Sequence, residues 1–192
     1  SLCVGFSISS VAQLLLPDSL LEQQPTYADI TNAVANADKV YKLNISKQKL
    51  SEIPADVFKL KLLQILIVSN NKLESVPKEI GRLKNLQVLD LSKNKLTKLP
   101  DSIGRLENLK KLILFKNDID TLPAAMKGLK SLEKLDLWEN SLYHIPDELK
   151  EMKALTDLDL RDILCNEPQQ RRIKELFPKA YIHFSPPCTC NY

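Results

Sequence analysis

The sequence predicts an α/β solenoid, with a curved parallel sheet on the concave side and short 3₁₀ or helical turns on the convex side. The first observation behind this prediction is an apolar pattern that returns every 23 residues, well seen from Leu86 to Asn108. The second is composition: 192 residues with 44% hydrophobic and 27% charged residues can bury a sizeable core in one domain. Only four glycines and 6% aromatic residues argue against a sandwich or barrel with many tight turns.

The first twelve residues contain no charge and end in small side chains at Ser10-Val11-Ala12. This pattern is typical of a secretory signal peptide cut after Ala12, although the basic leading region and the initiator Met are missing. It predicts a secreted or periplasmic protein, with a cytoplasmic one as the alternative. If it is not a signal, the stretch is an apolar tail packed on the first repeat. It is too short for a membrane span, which needs about 20 residues.

Residues 13–25 are interpreted as a linker, and residues 26–39 as a helical cap on the first repeat. Thr26 is a candidate N-cap, with Asp29 three residues later. Tyr27, Ile30 and Val34 are spaced to share one face of a helix. A stack of repeats exposes core side chains at its end, so such a cap is expected.

Residues 40–162 contain six repeats in which an LxxLxL stretch predicts a short strand, and successive strands pair in parallel. An asparagine follows each central strand where the chain must turn without leaving buried backbone groups unsatisfied. These asparagines are predicted to stack as a structural ladder made of Asn71, Asn94, Asn117 and Asn140. The first repeat has Gln48 at this position and the last, atypical repeat has Ile163. On the convex side, proline followed by apolar residues at a spacing of three predicts 3₁₀ turns.

The repeat unit LxxLxLxxNxLxxLPxxIxxLxx resembles the 23-residue class of the leucine-rich repeat family. The resemblance covers about residues 40–162, and the layout with its two caps is similar to small secreted bacterial members. It implies a leucine-rich repeat solenoid whose concave face binds other proteins.

Residues 163–192 are interpreted as a C-terminal cap, with a helix opened by Pro168 and a strand from Tyr181 to Phe184. Three interpretations of its cysteines stay open. They are a disulfide among the three, a zinc site that adds His183, and free thiols with one buried. The cysteines concerned are Cys165, Cys188 and Cys190.

The sequence contains no catalytic set, no phosphate-binding glycine-rich loop and no HExxH motif, so we predict neither an enzyme nor a cofactor. The net charge of +3 comes from intermixed acidic and basic residues, which excludes the basic stripe expected of a nucleic-acid-binding protein.

The candidate binding residues are the outward side chains between the strand leucines. Phe115 and Trp138 fall in one outward column on neighbouring strands, beside Ile113, and an exposed aromatic pair is typical of a binding hot spot. The same end of the sheet is acidic, with only Arg161 and Lys134 to offset it, and a partner would meet it with lysine or arginine. The acidic candidates are Asp136, Glu139 and Asp159, with Asp157 and Asp162 alongside.

We therefore predict a non-enzymatic module, expected to be a monomer, that binds a protein or peptide on its concave face. The alternatives are a structural or assembly subunit of the cell envelope, and an intracellular signalling scaffold if residues 1–12 are not a signal peptide.

Overall fold

The computed structural model describes residues 15–163 and 166–185. Within them the chain forms a stack of repeats with one strand each, flanked by short helices. The helices are α1 (Asp18–Gln23), α2 (Ile30–Ala35) and α3 (Glu167–Leu176). The strands are β1 (Thr26–Tyr27), β2 (Lys42–Asn44), β3 (Ile65–Ile67), β4 (Val88–Asp90), β5 (Lys111–Ile113), β6 (Lys134–Asp136), β7 (Asp157–Leu160) and β8 (Tyr181–Phe184).

The strands form one sheet in chain order, with every neighbouring pair parallel. The register places the central leucine of each repeat beside that of the next, as Leu89 lies beside Leu112. This confirms the predicted parallel-sheet solenoid. The caps lengthen it, because β1 and β8 extend the six repeat strands to eight.

Five 3₁₀ segments form the convex side, and each follows a proline, as the sequence predicts. Proline suits this place because its φ is restricted and its missing N–H is not needed at the start of a turn. The segments are Ala55–Lys59, Lys78–Arg82, Asp101–Arg105, Ala124–Gly128 and Asp147–Glu151.

The core lies between the sheet and these 3₁₀ segments and consists of the repeated apolar residues. Leu89, Leu91 and Ile103 of one repeat have no exposed surface. Each such side chain contributes roughly 1.5–3 kcal/mol by its burial. The repeated leucines therefore form the core that supports the fold.

The N-terminal cap differs in detail from the prediction. Thr26 lies in β1, so the prediction that it caps a helix is wrong. The helix α2 begins at Ile30, and its cap is Asp29, whose carboxylate accepts the backbone N–H of Asn32 at 2.8 Å. Pairing of β1 with β2 holds Thr26 extended, which overrides its local preference for a helix start. The segment interpreted as a linker contains α1.

The C-terminal cap contains the predicted helix and strand. Asn166 and Gln169 form a reciprocal capping box at the start of α3, and Ile173 and Phe177 are buried against the last repeat. The strand β8 then pairs with β7 and covers the edge of the sheet. Residues 1–12 and the three cysteines of the cap lie outside the described residues, so the signal peptide, disulfide and zinc interpretations remain predictions.

Candidate binding surface on the concave face

Phe115 and Trp138 form a stacked pair just beyond β5 and β6. Their ring centroids are 5.7 Å apart with an angle of 29° between the planes. Three cations lie over these rings. The Lys93 ammonium is 5.6 Å from the centroid of the Phe115 ring. The Lys116 ammonium and the Arg161 guanidinium are 5.0 Å and 5.5 Å from the centroid of the Trp138 ring. Both aromatic residues are half-buried, and we call them the aromatic pair. Cation–π contacts of this kind restrict both the rings and the cations.

The indole of Trp138 is also held by a hydrogen bond to the next repeat. Its Nε1–H donates to the Asp162 carboxylate at 2.7 Å, and the Ser185 hydroxyl donates to the other carboxylate oxygen at 2.9 Å. These two hydrogen bonds lower the pKa of Asp162 below its ordinary value. The indole is therefore fixed by a stacked ring, two cations and a carboxylate.

The residue after each aromatic residue adopts a left-handed backbone conformation. Lys116 follows Phe115 with φ of 57°, and Glu139 follows Trp138 with φ of 50°. Such a conformation costs a residue with a side chain roughly 1–2 kcal/mol. The backbone N–H of Lys116 donates to the Trp138 carbonyl at 2.9 Å, so the bend also continues the pairing between repeats. The bend ends the strand and directs the chain toward the asparagine ladder.

Each ladder asparagine bonds to backbone groups of its own repeat and of the preceding one. The Asn94 amide donates to the carbonyls of Val68 at 3.1 Å and Leu91 at 2.9 Å, and its oxygen accepts the Leu73 N–H at 3.1 Å. The same arrangement recurs at Asn71, Asn94, Asn117 and Asn140. The ladder thus fixes the distance between the repeats that carry the aromatic pair.

The acids predicted for the surface are engaged with neighbouring groups. Asp136 accepts the Trp138 N–H at 3.2 Å, and Asp159 accepts the Arg161 N–H at 3.1 Å, so both carboxylates close a turn at a strand end. The Arg161 guanidinium also binds the Asp159 carboxylate, with its closest contact at 2.6 Å. Sequence reasoning missed this turn-closing role, which an aspartate three residues before the bends at Glu139 and Asp162 could have indicated.

The remaining acids at this end lie close to cations. Glu139 is 3.1 Å from the Lys116 ammonium. Asp157 is 3.1 Å from the Lys134 ammonium and 3.2 Å from the His183 imidazole. Three of the five acids at this end therefore form ion pairs with lysine or arginine, and the aromatic pair, with Ile113 beside it, forms the apolar part of this end.

The two strand-end aspartates have opposite pKa shifts. Burial raises the pKa of the Asp136 carboxyl, an effect that the Trp138 N–H reduces but does not cancel. Burial alone would also raise the pKa of Asp159, but the hydrogen bonds and charge of Arg161 outweigh it and lower that pKa. The Asp159 side chain is 8% exposed but that of Arg161 is 51% exposed, so solvent screens this pair in part.

We expect Asp159→Asn to destabilise the protein more at neutral pH than in acid. In the unfolded chain an aspartate has a pKa of about 3.9. Because the pKa of Asp159 is lower in the folded protein, its carboxylate stabilises the fold above the unfolded-state pKa, and this contribution is lost as pH falls through the folded-state pKa. Urea unfolding of the wild type and the variant at about pH 7 and about pH 3 measures the difference. Asp136→Asn is the matched control and should show the opposite trend, because its folded-state pKa is raised. A pH-independent difference for Asp159→Asn would contradict the assignment.

The other half of the concave face holds a feature that sequence reasoning missed. The helix α1 lies across the starts of β3 and β4, next to the outward residues Ile65 and Val88. Its Leu21 is only 4% exposed. The outward apolar residues Ile65 and Val88 on adjacent strands could have indicated that something covers them. Their position in the repeat did not show that the covering element is α1.

Two kinds of feature are absent from the described part of the chain. No three side chains of His, Cys, Asp or Glu in it come together to hold a metal ion. Among the same residues, no helix combines the length and the apolar character needed to cross a membrane.

The fold and the surface define a repeat solenoid built on one parallel sheet. A family profile described as leucine-rich repeat region matches residues 68–179. The chain belongs to the leucine-rich repeat family. No curated protein matches it significantly.

Solved structures similar to the chain are also leucine-rich repeat proteins. One from Leptospira interrogans is 30% identical, with a TM-score of 0.66 over 85% of this chain, which spans 49% of that protein's length. The structure of PEPR1 with AtPEP1 is 29% identical, with a TM-score of 0.53 over 57% of this chain and 16% of that one. The BIR2 ectodomain from Arabidopsis thaliana is 27% identical, with a TM-score of 0.50 over 56% of this chain and 59% of that one. Family and neighbours together indicate a protein-interaction module.

Proposed function

We propose that this protein is a non-enzymatic module that binds a protein or peptide partner on its concave face, with the aromatic pair at the centre of the contact. The observation that carries the proposal is the stacking of Phe115 and Trp138 at 5.7 Å on adjacent repeats, with both rings partly exposed. Half-buried aromatic residues on a rigid sheet are the composition of a hot spot.

The surroundings of the pair favour binding because they reduce its entropic cost. Trp138 is held by Asp162 and by flanking cations before any partner arrives. An interface loses roughly 0.5–1.5 kcal/mol for each flexible side chain that it must immobilise. In this proposal Phe115, Trp138 and Ile113 contact the partner, which presents an apolar or aromatic group to them.

The charged residues around the pair have a positioning role in this proposal. Asp136 and Asp159 close the strand-end turns. Glu139 pairs with Lys116 and Asp159 with Arg161, which orients the two cations over the ring of Trp138. Because these carboxylates already have cationic neighbours, they attract a basic partner less than their number in the sequence indicates.

The similar structures support a partner and a location outside the cytoplasm. PEPR1 is seen together with AtPEP1, and the BIR2 match is an ectodomain. We propose on this basis that the protein is secreted or periplasmic, and fractionation of its native source checks that location.

The test of the function is the double variant Phe115→Ala/Trp138→Ala. A partner is first captured from the native environment with the wild-type protein and identified by mass spectrometry, and its Kd is then measured. We expect the double variant to bind about 100-fold or more weakly, because each hot-spot residue contributes about 2 kcal/mol or more and 1.4 kcal/mol is tenfold.

Tyr143→Ala is the matched control, because Tyr143 is an aromatic residue that is 69% exposed and lies outside the repeat strands. It should bind like the wild type. A folded double variant with unchanged affinity would overturn the proposal. Loss of association in the convex-face variant Lys127→Glu instead would favour a structural or assembly subunit.

A further inference from the structure

The helix α1 is attached to the concave face through one apolar anchor. Within its six described residues, Leu21 alone is buried, at 4% exposure, whereas the adjacent Leu20 is 47% exposed. Leu21 faces a groove lined by Ile65 and Val88. A cavity of about 160 Å³ remains between α1 and the strands.

The two ends of α1 meet lysines on either side of this groove. The Asp18 carboxylate lies 2.9 Å from the Lys110 ammonium, just before β5. The Lys42 ammonium, on β2, donates to the Glu22 carbonyl at 2.9 Å. Lys42, Ile65, Val88 and Lys111 are aligned in register across four strands, so the groove is an apolar floor between two basic ends.

The helix α1 needs the groove for its stability, whereas the strands that form the groove are stable without α1. Isolated helices this short are not stable in water, and Pro17 at the start of α1 provides no side-chain cap. The Asp18 side chain is 72% exposed, which weakens its ion pair with Lys110. In contrast, Ile65 and Val88 are held by parallel pairing of β3 with β4. Local opening therefore releases α1 and leaves the groove intact.

We propose that this groove is a second binding subsite, which takes a short acidic amphipathic helix from the partner, and that α1 is its internal occupant. This inference shares one assumption with the proposed function, which is that partners bind on the concave face. The leucine of the incoming helix replaces Leu21 between Ile65 and Val88. A carboxylate of the same helix meets Lys110, which now meets Asp18, and Lys111 adds positive charge beside it.

An internal occupant lowers the apparent affinity of the groove by the fraction of molecules in which α1 is released. The probe is a synthetic peptide of residues 15–24, added to the nitrogen-15-labelled full chain and followed by amide chemical shifts. The variant Leu21→Asp releases α1 without changing the groove. Leu20→Asp is the matched control, because it adds the same charge at a neighbouring but exposed leucine.

We expect the peptide to shift the amides of Ile65, Val88 and Lys111 in the Leu21→Asp chain. Half-saturation should need at least about tenfold less peptide than in the wild type or Leu20→Asp. Adding Lys110→Glu to the Leu21→Asp chain should weaken binding of the peptide. A peptide that itself carries the Leu21→Asp change should not bind.

Equal titration of all three chains, or shifts outside the groove, would overturn the subsite. Concentration-dependent dimerisation of the wild type through this face would also overturn it, and would assign the groove to α1 of a second copy. None of these readouts involves Phe115 or Trp138, so a failure here leaves the aromatic pair to be judged by its own variant.

Discussion

Asn117→Ala is expected to lower the free energy of unfolding by about 2–5 kcal/mol. The Asn117 amide donates to the carbonyls of Leu91 at 3.1 Å and Leu114 at 2.8 Å, and its oxygen accepts the Leu96 N–H at 3.0 Å. The residue is 6% exposed, so water cannot replace these bonds without entering the core. Each buried backbone group left without a partner costs about 1–3 kcal/mol. Alanine leaves the Leu96 N–H without this partner. It also removes one of the two amide donors from the Leu91 and Leu114 carbonyls, which keep Asn94 and Asn140, and each lost bond costs about 0.5–1.5 kcal/mol more.

Urea unfolding followed by circular dichroism measures this loss. Asn108→Ala is the matched control, because the Asn108 amide makes one bond, to the Lys84 carbonyl at 2.9 Å, at a solvent-accessible site. It should cost about 1 kcal/mol or less. If the two variants lose equal stability, the ladder does not hold the repeats together.

Gly104→Ala is expected to lower the free energy of unfolding by about 2–3 kcal/mol, by forcing apart two segments of the convex face. A Cβ at this position would lie 1.9 Å from the Ala125 carbonyl oxygen, in the next 3₁₀ segment. The obstacle is backbone, so no side chain can rotate away, and the segments Asp101–Arg105 and Ala124–Gly128 must separate. Overpacking that shifts side chains and backbone typically costs about 1–3 kcal/mol, and occasionally more. Separation also disturbs Ile103 and Met126, which are fully buried beneath.

The measurement is again urea unfolding, with the thermal midpoint as a second readout. Lys127→Ala serves as the control, because Lys127 is exposed on the same convex face and its removal should change stability by less than about 0.5 kcal/mol. A Gly104→Ala protein as stable as this control would show that the two segments can shift apart without loss.

The repeat architecture could be predicted from the sequence because each repeat follows local rules and contacts its neighbours in the chain. The apolar period placed the strands, the prolines placed the 3₁₀ segments, and Pro168 marked α3. The N-terminal cap was less accurate. Thr26 and Asp29 are both good helix caps, and only the pairing of β1 with β2 decides between them.

The candidate surface was predictable in position but not in organisation. A 23-residue period necessarily brings Phe115 beside Trp138, since they are one period apart. What each charge does depends on side-chain direction, which the period does not encode. The acids that are prominent in the sequence close turns or meet cations, and Asp162 binds the Trp138 indole instead of facing solvent.

By itself, the sequence determined the family, the parallel sheet and the columns of outward residues, because all three follow from one repeated spacing. Only the tertiary structure decided that three cations and Asp162 hold the aromatic pair and that α1 lies in a groove over β3 and β4. These features join residues that no period relates, such as Asp18 and Lys110, 92 positions apart. Contacts of that kind depend on how the folded sheet brings distant side chains together.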